Sequence, residues 1–267
     1  MSHAMSTVSY ALTDSATMLR RNLKRMVRYP SMTVTLIGMP IVFLLLFVYV
    51  FGGTLGAGIG GPSRGRAEYV NYVTPAIILM TITAAVQGTT ISVAMDMTEG
   101  IVDRFRTMAI ARVSVLTGHV IGSLIQTMLS IAAVIGVALL IGLRPSAGAG
   151  NWLALTGVLV MMAFAFIWLS VALGLASKTV ESSSNVGLPL ILLPFLSSGF
   201  VPTESMPTVL RWFAEYQPFT PIIETIRGLL MGTPIGNSAV IATGWCAAIT
   251  LGGYLWSKKL FNRESTG

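Results

Sequence analysis

Asp96-Met-Thr-Glu-Gly-Ile-Val-Asp-Arg-Phe-Arg-Thr-Met-Ala-Ile-Ala-Arg112 is the stretch that decides the fold. It crowds both signs of charge between two runs, 69–95 and 113–143, that contain no Asp, Glu, Lys or Arg. A helix needs about 20 apolar residues to cross a bilayer, and each run exceeds that. The pattern predicts two membrane spans joined by a short charged helix, placed to touch something other than lipid.

Composition fixes the class. The 267-residue chain is 54% hydrophobic and 10% charged, with a mean hydropathy of +0.77, whereas soluble domains carry about 25% charged residues. One soluble core of this length could not bury so much apolar surface. The formal charge of +7 does not point to nucleic acid. The basic residues sit in short clusters beside apolar runs, without the aromatic interleaving of a nucleic-acid platform. Cys246 is the single cysteine, which excludes an intrachain disulfide and a thiolate metal site.

Working outward, the remaining apolar runs complete an all-α polytopic membrane protein with six predicted transmembrane helices, at about 31–51, 70–94, 116–143, 152–177, 184–200 and 239–256. The fifth is short and holds Pro189 and Pro194. Residues 1–30 then form a cytosolic N-terminus, 31–257 the membrane domain and 258–267 a cytosolic tail. The first span is too long in its apolar core to read as a cleavable signal peptide. Orientation follows from Lys and Arg. With the N-terminus inside, the cytoplasmic segments hold Arg20, Arg21, Lys24, Arg25, Arg28, Arg104, Arg106, Arg112, Lys178, Lys258, Lys259 and Arg263. The outer segments hold Arg64, Arg66, Arg144, Arg211 and Arg227. That bias puts both termini, and the 96–112 helix, in the cytoplasm.

Before the first span, Asp14 can cap a helix that ends near Pro30. Leu19, Leu23, Met26 and Val27 share one face, and Arg20, Arg21, Lys24, Arg25 and Arg28 fill the rest. Such a helix lies on the membrane surface, cations at the headgroups; a plain positive-inside anchor is equally compatible. On the opposite side, segment 206–232 is too apolar for an ordinary loop and too rich in ionisable groups for a span. Pro207, Pro218 and Pro221 divide it into helical pieces near 208–216 and 222–231. A re-entrant helical hairpin between spans five and six is expected there, with two flat interfacial helices as the other reading.

Within the opening stretch, Ile101, Phe105 and Met108 form an apolar stripe two turns long. Glu99, Asp103, Arg104 and Arg106 occupy the other faces, Asp103 and Arg106 spaced for an ion pair. Two amphipathic turns cannot bury themselves alone. Mixed charge favours a groove on a partner protein over lipid, and a solvated loop is the bland alternative.

The residues Glu99-Gly-Ile-Val-Asp-Arg-Phe-Arg-Thr-Met-Ala-Ile-Ala-Arg112 closely resemble the signature of ABC-2 type transporter permeases of the daunorubicin-resistance exporter group. Leu44-Leu-Leu-Phe-Val-Tyr-Val-Phe-Gly-Gly53, Ser198-Gly-Phe-Val-Pro-Thr-Glu-Ser-Met-Pro207, Gln217-Pro-Phe-Thr-Pro221 and the Arg-rich start are similar to other stretches of that family, in order along nearly the whole chain. Ala109 departs from the pattern, where proline is expected, and leaves the helix's C-terminal boundary open. The resemblance implies a six-span permease that pairs with a second copy in a bacterial plasma membrane. Two copies of a separate ABC ATP-binding subunit would dock beneath and hold the ATP and Mg. It further implies that Glu99, Gly100, Ile101, Asp103, Arg104, Phe105 and Arg106 form the coupling helix to that ATPase. Arg20–Arg28 would be the connecting helix, and the outer re-entrant helices would close the exit side.

The chain has no Gly-x-x-x-x-Gly-Lys-Ser/Thr loop for ATP phosphates, so no catalytic, cofactor-binding or metal-binding residue is expected on it. His119 reads as structural, and Gly56-Ala-Gly-Ile-Gly-Gly61 as a flexible outer connector. Spans one, two and five are expected to line a pathway between the two copies. Phe47, Tyr49, Ser197, Ser198, Gly199 and Phe200 lie along it or at the contact between copies, where small residues permit close approach. An almost charge-free pathway suits a hydrophobic or amphipathic small molecule, driven outward as nucleotide binding shifts the populations of two states. No span carries a central Asp or Glu to relay protons. An ion-coupled carrier, an exporter of a lipid or lipid-linked glycan, and a non-transporting scaffold are the alternatives.

Overall fold

The computed structural model describes residues 30–60, 65–98 and 112–263, with side chains over 34–59, 65–98 and 120–260. Among these residues every regular element is helical. Five helical segments are long and apolar enough to cross a membrane: Val34–Ile59, Gly65–Thr98, Val120–Ile141, Ala149–Ala176 and Ser238–Leu260. The residues expected to form the coupling helix, Glu99–Arg106, the basic residues Arg20–Arg28 and Arg64 lie outside the described residues.

The first crossing begins as α1 (Pro30–Leu46), passes through a π-helical turn at Phe47–Phe51 and continues as α2 (Gly52–Gly60). The glycine-rich stretch expected to be a flexible connector is therefore helical through Gly60. A side chain at Gly56 would collide with the Gly65 backbone, so the missing Cβ lets α2 pack closely on the next helix. That helix, α3 (Gly65–Thr98), is the axis of the molecule. It and α5 (Ala149–Ala176) are 72% and 67% buried across their apolar windows, against 17% for the first and last spans and 28% for α4 (Arg112–Ile141). A helix that is apolar all round belongs inside, and Ile77, Ile78, Leu79 and Ile82 of α3 pack with Leu44, Phe166 and Phe219 in the principal core.

The many threonines of α3 fit this buried position because their hydroxyls are satisfied locally. Thr74, Thr81, Thr89 and Thr90 each donate to the carbonyl four residues back, at 2.7–2.9 Å. Thr89 also meets Ser123 of α4 at 2.9 Å, and Thr90 reaches the Ser170 carbonyl of α5 at 3.3 Å. At Gly174 of α5 an added Cβ would stand 2.8 Å from the Thr90 carbonyl oxygen, so glycine sets the α3–α5 separation. Gly253 does the same where α10 (Ser238–Arg263) crosses α5, 2.8 Å from the Leu169 nitrogen.

The predicted fifth span is broken. A capping box at Thr179 and Ser182 starts α6 (Val180–Val186), Gly187 interrupts it, α7 (Leu188–Leu192) follows, and Leu193–Leu196 tightens into a 3₁₀ turn. Pro189 and Pro194 each lack the N–H that would continue an α-helix. The apolar helix Val180–Leu196 is shorter than the five long segments. It nevertheless runs a long way beside α3. Gln87 donates to the Ser184 carbonyl at 3.3 Å, Tyr72 to the Ser198 carbonyl at 2.8 Å and Tyr69 to the Phe200 carbonyl at 3.4 Å. From Gln87 to Tyr69 a helix rises about 27 Å at 1.5 Å per residue.

Two shorter helices lie between the broken segment and α10. They are α8 (Thr208–Tyr216) and α9 (Phe219–Met231). The second begins three residues before the expected start, because Pro221 sits in the first turn, where its missing donor costs nothing. Gly232, at φ +65°, ends it in the left-handed conformation.

Candidate functional site

The residues that gather at the Tyr72 end of the bundle form a polar layer around the turn after the broken segment. Ser197, Ser198, Gly199 and Phe200 make that turn, and all four are buried. The turn lacks a continuous helical ladder, so side chains from neighbouring elements hold it. Tyr69 and Tyr72 of α3 donate to the Phe200 and Ser198 carbonyls. The Ser198 N–H donates to Thr220 Oγ1 at 3.2 Å, and Gln217 Nε2 donates to the Leu196 carbonyl.

Arg227 of α9 is the centre of this layer. Its Nη2 donates to the Ser198 carbonyl at 2.9 Å and to the Tyr72 carbonyl at 3.2 Å, while the guanidinium lies 3.9 Å from the Tyr72 ring centroid. No described carboxylate lies within ion-pair distance; Glu224 accepts from the Ser238 hydroxyl at 2.9 Å instead. The half-buried cation is therefore stabilised by carbonyl dipoles and a π face, the latter worth roughly 0.5–2 kcal/mol. Arg227 Nε, Ser198 Oγ and Gln217 Oε1 are buried without a protein partner. Each such atom carries a desolvation cost of about 1–3 kcal/mol, so the layer is held against a standing penalty and is sensitive to any lost bond.

An aromatic cluster adjoins the turn. Phe47 lies 4.6 Å from Phe200 between ring centroids, and Phe195 stacks on Phe200 at 4.7 Å with an interplanar angle of 11°. Phe43 closes on Phe195 at 6.2 Å. The structure thus brings together Phe47, Ser197, Ser198, Gly199 and Phe200 from the predicted set. Tyr49 is separate: it is 53% exposed and faces Arg66, whose guanidinium carbon stands 5.2 Å from its ring. At Gly199 a Cβ would come within 2.5 Å of Ala76 Cβ, so α3 passes too closely for any side chain there. Beyond the layer, Arg211 and Glu215 of α8 form an exposed ion pair at 2.7 Å. That hydrogen bond and the Glu215 charge raise the Arg211 pKa above its ordinary value.

Tyr72, Thr220 and Arg227 were not among the predicted site residues. Tyr72 stands in an uncharged run and gives no local signal. Arg227 counted only as an outer-segment charge, although a cation inside a stretch as apolar as 219–231 was itself a sign of a buried partner set.

Residues 14–231 match the family model for the ABC-2 type transporter. A daunorubicin resistance ABC transporter permease protein, DrrB1, of Streptomyces coeruleorubidus is 27% identical over 228 residues, covering 84% of this chain and 77% of that protein. A probable doxorubicin resistance ABC transporter permease protein, DrrC, of Mycobacterium tuberculosis strain CDC 1551 / Oshkosh is 26% identical over 237 residues, 87% of this chain and 83% of that protein. The DrrC of strain H37Rv gives the same figures. Its helices are apolar enough to cross a membrane several times, and its sequence matches the family model over more than half its length: this chain is an integral membrane protein of the ABC-2 type transporter family.

Proposed function

We propose that this chain is the membrane-spanning permease subunit of an ATP-driven exporter of hydrophobic or amphipathic small molecules. The observation that carries the reading is the family match over 14–231; the drug names borne by the relatives suggest the class of cargo. Two copies would pair and bind two copies of a separate ATP-binding subunit, which supplies ATP, Mg and hydrolysis. Glu99, Gly100, Ile101, Asp103, Arg104, Phe105 and Arg106 would seat in a groove of that subunit, on the cytoplasmic face of a bacterial plasma membrane.

The register of 184–200 along α3 supports a sixth crossing, and with it both termini on the cytoplasmic side. The position of α3 supports the coupling. The 99–111 segment joins α3 directly to α4, so motion imposed there enters the buried axis of the molecule rather than a peripheral helix. At the other end of α3, the Tyr72–Ser198–Arg227 layer and the Phe47–Phe200 cluster would close the exit. Affinity capture of the tagged chain from its native membrane tests this: an ABC ATPase is expected to co-purify with it. Capture of an intact permease that never brings down such a subunit would refute the proposal.

A further inference from the structure

The helix α8 has three distinct faces. Ala214 is buried against the bundle, and Leu210 is half-buried beside it. Arg211 and Glu215 pair along a second edge. Val209, Trp212, Phe213 and Tyr216, at i, i+3, i+4 and i+7, form a third, exposed face on which Phe213 is the most covered, at 40% exposure. Val209 is 84% exposed, Trp212 64% and Tyr216 65%. Burying one such side chain fully is worth roughly 1.5–3 kcal/mol, so an aromatic stripe left in water is unfavourable.

Neighbouring bonds set the depth of α8. Gln217, which directly follows it, is tied to Leu196, and Ser198 to Tyr72. Asn71 Oδ1 accepts from the Arg144 N–H at 3.1 Å, and Ser146 Oγ donates to the Met231 carbonyl. These ties place the ends of α3, α4 and α9 and the 196–198 turn in one layer. Charge begins at that layer: Glu68 and Arg66 lie just beyond Tyr69, and Arg144 lies just past α4. This is where hydrocarbon gives way to headgroups, the depth at which Trp and Tyr concentrate.

We propose that α8 lies in the plane of the membrane interface, with Val209, Trp212, Phe213 and Tyr216 among lipid chains and the Arg211–Glu215 pair at the headgroups. Lipid suits the stripe better than a second copy of the chain. Four side chains offer on the order of 450 Å², whereas a stable interface takes roughly 800 Å² from each partner. The proposal rests on the permease reading and divides the expected hairpin, with α9 buried in protein and α8 in lipid. Because Gln217 ties α8 to the 196–200 turn, a lipid-held α8 gives that turn a fixed reference at the membrane surface.

The test is a protein whose only tryptophan is Trp212, made by Trp152→Phe, Trp168→Phe, Trp245→Phe and Trp256→Phe. It is reconstituted in vesicles of three parts phosphatidylcholine to one part phosphatidylglycerol. Lipids brominated near the headgroup end of their chains are expected to quench Trp212 roughly twofold more than lipids brominated near the terminal methyl. Quenching by aqueous iodide but by neither bromolipid would overturn the proposal. So would protection from bromolipid together with a spontaneous disulfide between two copies carrying Val209→Cys and Cys246→Ala, since the stripe would then join the copies. If the tryptophan-depleted protein fails to fold, Trp212→Cys with Cys246→Ala, labelled with a polarity-sensitive fluorophore, gives the same reading. Quenching reports membrane placement whatever the chain transports, so its failure is distinguishable from failure to recover an ATPase.

Discussion

Arg227 holds the Tyr72 ring and the 72 and 198 carbonyls in a way that a close substitute cannot reproduce. The planar guanidinium reaches two carbonyls while it lies over the ring, a geometry that a lysine ammonium cannot reproduce. Arg227→Lys is expected to lower stability by about 1–3 kcal/mol by leaving buried carbonyls short of a donor. Tyr72→Phe keeps the ring and loses only the bond to the Ser198 carbonyl, for about 1 kcal/mol. Thermal unfolding in detergent measures both, and a double-mutant cycle should return a coupling above roughly 0.5 kcal/mol; strict additivity would separate the two residues. The sequence marked 197–200 through its small residues as the end of a span and a place of close approach, whereas the structure makes it a turn. Sequence alone could not reveal Tyr72, because the bond to Ser198 joins positions 126 residues apart and an uncharged run offers no periodic cue.

Among the elements, α3 and the broken fifth segment show what local patterns can and cannot tell. The absence of charge over 69–95 was enough to place a span there, and the three prolines of 206–232 were enough to place α8 at Thr208–Tyr216. The helicity of Gly52–Gly60 was not readable, since glycine weakens a helix locally and here close packing on Gly65 overrides propensity. Burial is likewise a property of neighbours, so nothing in its own composition marked α3 as more buried than α10. Gly174→Leu should destabilise the α3–α5 contact by about 1–3 kcal/mol through overpacking, while Gly244→Ala, with nothing within 4 Å of its Cβ, should not. Thermal unfolding of the purified variants separates the two. The sixth crossing has its own test in a Cys246→Ala background. An impermeant maleimide added to intact cells should label Glu204→Cys and leave Glu181→Cys unlabelled; labelling of both from outside would remove the crossing.

For the whole molecule, one rod joins the proposed input to the proposed exit. From Thr98 to Tyr72, α3 rises about 39 Å at 1.5 Å per residue, from the edge of the 99–111 segment to the polar layer around Arg227. Pro75, inside α3 and one turn from Tyr72, removes a backbone bond where that layer grips the helix and favours bending there. The central claim is that energy from a partner ATPase enters through Glu99 and Asp103. The direct measurement is ATP-driven accumulation of an amphipathic fluorescent dye that the wild-type complex transports, in inverted vesicles holding the permease and its co-purified ATPase, comparing the wild-type chain with the Glu99→Lys, Asp103→Lys variant. The account predicts that the variant inserts normally and retains ATP hydrolysis but loses most accumulation of the dye. Accumulation equal to wild type would contradict it.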